Sequence, residues 1–126
     1  MAEKKAVLAI GIEPALADLS ALPHVTPDLL QNFVNAELGR LGSLGFDVVS
    51  CLIDLGKTAE EKITLALESR RFDCVVIGAG LRIPPQLLPL FEKVINLVHK
   101  LAPAASICFN TTPADTSEAV QRWIKP

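Results

Sequence analysis

Four short apolar runs recur along the chain: Ala6–Ile12, Asp47–Leu55, Asp73–Gly78 and Ala105–Asn110. Each is rich in Val, Ile, Leu or Cys and none alternates strictly between apolar and polar, the pattern of strands covered on both faces in a parallel sheet. Between them lie segments with helical periodicity. The first opens with Thr26 as N-cap and Pro27 at the first helical position, and it should stop near Gly42 or Gly45, where glycine tolerates the left-handed conformation. Thr58-Ala59-Glu60-Glu61 reads as a capping box that starts a second helix running to about Arg70. A third is expected from Pro84-Pro85 to about Leu101, and a last one from Thr112 or from Asp115, which has Glu118 three residues on.

The order βαβαβαβα, with strands apolar on both faces, requires helices on both sides of the sheet and right-handed crossovers. The expected fold class is therefore α/β, a three-layer αβα sandwich around a four-stranded parallel sheet. Its expected strand order is the flavodoxin-like 2-1-3-4, the alternative being the Rossmann-like 3-2-1-4. The length of 126 residues suits a single domain over 1–126.

Composition narrows the partners. Half the residues are apolar, so a packed core is required. Twelve basic against fourteen acidic side chains, with no basic run beyond Lys4-Lys5 or Arg70-Arg71, speak against nucleic acid. No apolar run approaches the roughly 20 residues of a membrane span. The charged N-terminus and the run from Ala6 resemble a signal peptide only briefly, because Glu13 interrupts the run and no Ala-x-Ala follows closely. Cys51, Cys74 and Cys108 each fall within an apolar run without CxxC spacing or a histidine pair, as core thiols of a reducing cytoplasm would. A soluble, cytoplasmic protein without a bound metal is expected.

Ligands of open parallel sheets bind beyond the carboxyl ends of the strands, where the strand order reverses. Candidate ligand-binding residues there are Gly11, Glu13, His24, Gly78, Gly80, Arg82, Asn110 and Thr111. Gly78-Ala79-Gly80 lets backbone amides approach a ligand, and Arg82 adds a planar cation suited to phosphate or carboxylate. The prolines at 84 and 85 are expected to hold Ile83 and Pro84 extended, making this a stiff loop. The dinucleotide fingerprint is not met, since a third glycine and an acidic ribose partner are missing. Asn110-Thr111-Thr112 offers amide and hydroxyl groups beside a helix start. The long apolar segment from Glu13 to Val25 should fold over the sheet end or meet another subunit, with a short helical turn within Pro14–Ser20. Glu37 interrupts an apolar helical stripe, and Arg40 is its nearest partner in sequence.

Motifs of phosphorelay receivers, cysteine phosphatases, P-loop nucleotidases and serine hydrolases are missing, and no nucleophile stands paired with a base. The expected function is a binding or sensing module for a small anionic ligand, a phosphorylated metabolite or nucleotide. The alternatives are a small enzyme using Glu13 or His24 with Arg82 and Asn110, and an oligomeric structural protein. The residues do not identify a cofactor. The third helix spreads its apolar side chains over about 180°, against the roughly 100° that a sheet covers. With a mean hydropathy of +0.38, this motivates a homodimer through the helix near residues 85–101.

Overall fold

The computed structural model describes residues 3–126; Met1 and Ala2, part of the charged N-terminal stretch, lie outside the described residues. Four strands, β1 (Ala6–Ile12), β2 (Asp47–Ile53), β3 (Cys74–Ile77) and β4 (Ser106–Phe109), form one sheet. Their order is β2-β1-β3-β4 and every pairing is parallel, which is the flavodoxin-like arrangement. The helices are α1 (Pro27–Ser43), α2 (Ala59–Ser69), α3 (Ala79–Arg82), α4 (Leu88–Leu101) and α5 (Thr116–Gln121). Among the described residues, no helix is long and apolar enough to cross a membrane.

The pleat divides β1 between two cores. Ala6, Leu8, Ile10 and Ile12 join Ile63 and Leu67 of α2 and Val94 and Val98 of α4 on one face. Val7 joins Leu41 of α1 and Ala119 and Val120 of α5 on the other. The cysteines divide likewise. Cys51 belongs to the first core, and burial pushes its thiol pKa up. Cys74 and Cys108 sit in the second with their sulfurs 3.5 Å apart, and their shared hydrogen bond together with burial holds the Cys74 thiol protonated.

The α1 boundaries follow from local chemistry. Thr26 Oγ1 accepts the Leu29 N–H at 3.1 Å, and Pro27 follows at a position where no amide is needed. At the other end Phe46 N–H donates to Leu41 O and Gly45 N–H to Gly42 O, with Gly45 at φ 104°. This is a Schellman closure, and its accompanying apolar contact is between Leu41 and Phe46 in the second core.

Two local expectations are corrected. The capping box at Thr58 does not form, because that hydroxyl donates instead to Asp54 Oδ2 at 2.8 Å. Asp54 also accepts the Gly56 and Thr58 amides, both at 3.0 Å, so an aspartate preceding the helix organises the β2–α2 turn. The loop expected at Gly78–Arg82 is a helical turn. Gly78 caps the one-turn helix α3, and Ile83, although it precedes proline, stays helical at φ −72° and ψ −44°. Only Pro84 is extended, after which a 3-10 turn at Pro85–Leu87 leads into α4.

The wide apolar arc of α4 is largely used within the chain. Leu87, Leu90, Phe91, Ile95 and Leu97 are half-buried around the first core, and α4 packs against α2. Phe91 meets Phe109 of the edge strand with ring centroids 5.9 Å apart. The flank that motivated a twofold contact is thus covered in part by the chain itself, and Leu88 is the apolar residue of α4 left clearly outside.

The β2–α2 turn yields a direct comparison. Asp54→Ala should lower the urea midpoint of unfolding, whereas Glu61→Ala should leave it within error; the opposite ranking would restore the capping box.

Candidate functional site

On the α1 side of the sheet, the side chains of the central strand β1 shrink toward its carboxyl end, from Val7 through Ala9 to Gly11. Val7, Val48 and Cys74 occupy the row that α1 seals with Leu41. One row on, Ser50, Ala9 and Val76 stand side by side, and beyond them Gly11 lies beside Leu52. Gly78 continues this end of β3, its N–H donated to Ile10 O at 2.9 Å. The small side chains do not reach α1. The apolar stripe of α1 therefore changes character along its length: Leu41 is fully buried, while Leu30, Val34 and Leu38 are only half-buried and Phe33 is 38% exposed.

The result is an apolar groove of about 450 Å³. Its floor is Ala9, Gly11, Ser50, Leu52 and Val76, and its roof is Leu30, Phe33, Val34 and Leu38. The long segment after β1 folds along it with Ala17, Leu19, Leu22 and Val25, after a 3-10 turn at Pro14–Leu16. The end is closed by Ala79, Gly80, Ile83 and residues 110–114. It lies where the strand order reverses between β1 and β3, as parallel-sheet geometry requires of a ligand crevice.

Most polar groups in the wall are already paired. Asn110 Oδ1 accepts the Ala79 N–H at 2.7 Å and its Nδ2 donates to Thr116 Oγ1 at 3.0 Å, so this buried amide joins β4, α3 and α5. Thr111 donates both its N–H and its hydroxyl to Asp115. Burial raises the Asp115 pKa, but the bonds from Thr111 and Thr112 outweigh it and hold the carboxyl below its ordinary value. Asp18 Oδ1 accepts from the amide and hydroxyl of Ser20, and Gln86 reaches its other oxygen at 3.2 Å.

Glu37 is the carboxylate that the sequence marks as out of place, and it is 7% exposed in the groove wall. Its Oε1 accepts the N–H and the hydroxyl of Ser117, both at 3.0 Å. The expected contact with Arg40 is present but long, 3.5 Å from Oε2. Arg40 lies closer to Glu118, at 2.6 Å, and that bond is the chief reason its pKa rises.

Of the residues expected at the site, Gly11, Gly78, Gly80, Asn110 and Thr111 line this groove. Glu13 lines a separate shallow hollow with Pro14, Pro27 and Gln31, its carboxylate 3.9 Å from Lys62 Nζ. His24 is exposed and outside the groove wall. Arg82 is outside it too: Nη2 donates to Asn110 O at 2.7 Å and the guanidinium lies over the Phe109 ring, 5.7 Å from its centroid. Its Nε is buried without a partner. The amides of Gly78 and Ala79 are bonded to Ile10 and Asn110, so neither is free for a ligand. Sequence reading missed the roof residues and Ser50, whose role emerges only once α1 and the strand register are known.

Among the described residues, the groove wall contains the carboxylates of Asp18 and Glu37 and no Lys, Arg or His. No cluster of three potential metal ligands occurs among them either. The wall hydroxyls of Thr111, Thr112 and Thr116 are engaged in turn or side-chain bonds, and among the described residues no hydrogen bond joins the Ser50 hydroxyl to a base. The chain matches no protein-family model and no curated protein.

Asn110→Ala should cost about 1–3 kcal/mol in denaturant unfolding, because the Ala79 amide and the Thr116 hydroxyl lose their buried partner. Asp115 adds a pH dependence. Its depressed folded-state pKa stabilises the fold above the unfolded value of about 4, and that contribution is lost as pH falls through the folded value. Asp115→Asn should therefore lose less stability than wild type between neutral and strongly acid pH; equal slopes would contradict the assignment.

Proposed function

We propose that this chain is a binding or sensing module for a small, largely apolar molecule held between α1 and the sheet. The observation that carries the reading is the stripe Leu30, Phe33, Val34 and Leu38, which faces an open groove while Leu41 on the same helix is sealed. Apolar side chains aimed into a concavity are stabilised by whatever removes them from water. The volume of about 450 Å³ falls within the range of roughly 300–1,000 Å³ usual for small-molecule sites. Binding is favoured over catalysis because, among the described residues, the wall carries no His, Lys or Cys and its threonine hydroxyls are taken up in turn and side-chain bonds.

The charge of the wall redirects the expectation of an anionic ligand. A phosphate or carboxylate entering here would meet Asp18 and Glu37 and no cation. Arg82, the cation on which that expectation rested, is held against Asn110 and Phe109. The enzymatic alternative loses support on similar grounds, since Glu13 and His24 stand outside the groove that Asn110 lines.

The uncharged fluorophore N-phenylnaphthylamine should brighten on binding with saturation at one site per chain, more strongly than anilinonaphthalene sulfonate. Ala9→Leu places a larger side chain on the floor and should weaken binding at least about tenfold, roughly 1.4 kcal/mol, while the circular dichroism stays native. A signal that does not saturate, or one that Ala9→Leu leaves unchanged, would refute the reading.

A further inference from the structure

We infer that the groove selects a cationic donor, a primary ammonium or amidinium carried on an apolar body, and that the Glu37 carboxylate recognises it. The inference rests on the groove being a binding site and adds the chemical class of what it takes. A carboxylate embedded among apolar side chains is costly unless each oxygen finds donors. In Glu37 the two oxygens are unequal: Oε1 accepts two bonds from Ser117, whereas the closest donor to Oε2 is Arg40 Nη1 at 3.5 Å.

Arg40 cannot neutralise Glu37 fully, because its other terminal nitrogen is 2.6 Å from Glu118. Two carboxylates share one guanidinium, which leaves the cluster of Glu37, Arg40 and Glu118 with a net negative charge. Glu37 is the member that lines the groove, and Asp18 adds a second carboxylate to the wall. An ammonium group brought in on an apolar body would give the Glu37 carboxylate a further charge-assisted partner in a partly desolvated site. A carboxylate of the same shape would be repelled.

Calorimetric titration of the full chain with naphthylmethylamine, naphthylmethanol and naphthoate separates charge from shape. The amine should bind about tenfold tighter than the alcohol, and the carboxylate more weakly than either. Glu37→Gln keeps an oxygen for Ser117 but removes the charge, so the amine should fall to the affinity of the alcohol. Alcohol binding by that variant shows that its groove is intact, and the three-ligand ranking on wild type decides the class even if the variant does not fold. An alcohol equal to or tighter than the amine, or an amine preference that survives Glu37→Gln, would overturn the inference while leaving the groove as an apolar site. If none of the three compounds bound, the groove reading itself would fall.

Discussion

The bond between Glu37 and Ser117 fixes where α1 stands. A carboxylate in the middle of an apolar helical stripe cannot be pressed against a sheet without donors, and here the donors come from the start of α5, 80 residues away. The contact ties α1 to α5 across the second core and seats Leu41 over Val7. Glu37 also lines the groove together with Ala9 and Ser50, so the buried charge and the groove lie along the same helix.

A second polar bond keeps the end of the groove in shape. Asn110 stands where the fourth strand stops, and its side chain takes the amide that opens α3 and gives a donor to Thr116 at the start of α5. Arg82 braces the same corner from outside through the Asn110 carbonyl. The switch point between β1 and β3 is therefore lined by backbone whose hydrogen bonds are largely satisfied internally. What it offers a visitor is mainly apolar surface, with Asp18 and Glu37 as the carboxylates of the wall.

Much of the fold was legible because the strands of a parallel sheet are apolar on both faces and their helices carry local stop and start signals. Thr26 and Pro27 and the glycine closure after α1 follow from such local chemistry, whereas the strand order, a choice between two crossover topologies in the sequence, is set by the tertiary pairing. Local signals failed where two of them competed. Thr58 fits a capping box, but Asp54 is bound in the same turn and claims its hydroxyl. Gly78-Ala79-Gly80 suggests loop, yet the Asn110 side chain accepts the first free amide and lets a helical turn close. The candidate site was legible in position more than in chemistry. Gly11, Gly78 and Asn110 reach it because topology places strand ends there. The reduction in side-chain size through Ala9 and Ser50 acquires meaning only when register sets them side by side. Glu37 was visible as an anomaly, while its partner Ser117 was not, since nothing in sequence spacing links two positions so far apart.

The proposed binding role requires that the apolar space beneath Leu30, Phe33 and Val34 of α1 take up a small molecule. Backbone and methyl NMR shifts recorded while N-phenylnaphthylamine is added to the isotope-labelled chain test it most directly. Perturbations should concentrate at Ala9, Leu30, Val34, Ser50 and Val76, with little change at Ile63, Val94 and Val98 on the opposite face. Perturbations centred on α4 and the edge strand, or spread evenly over the surface, would contradict it.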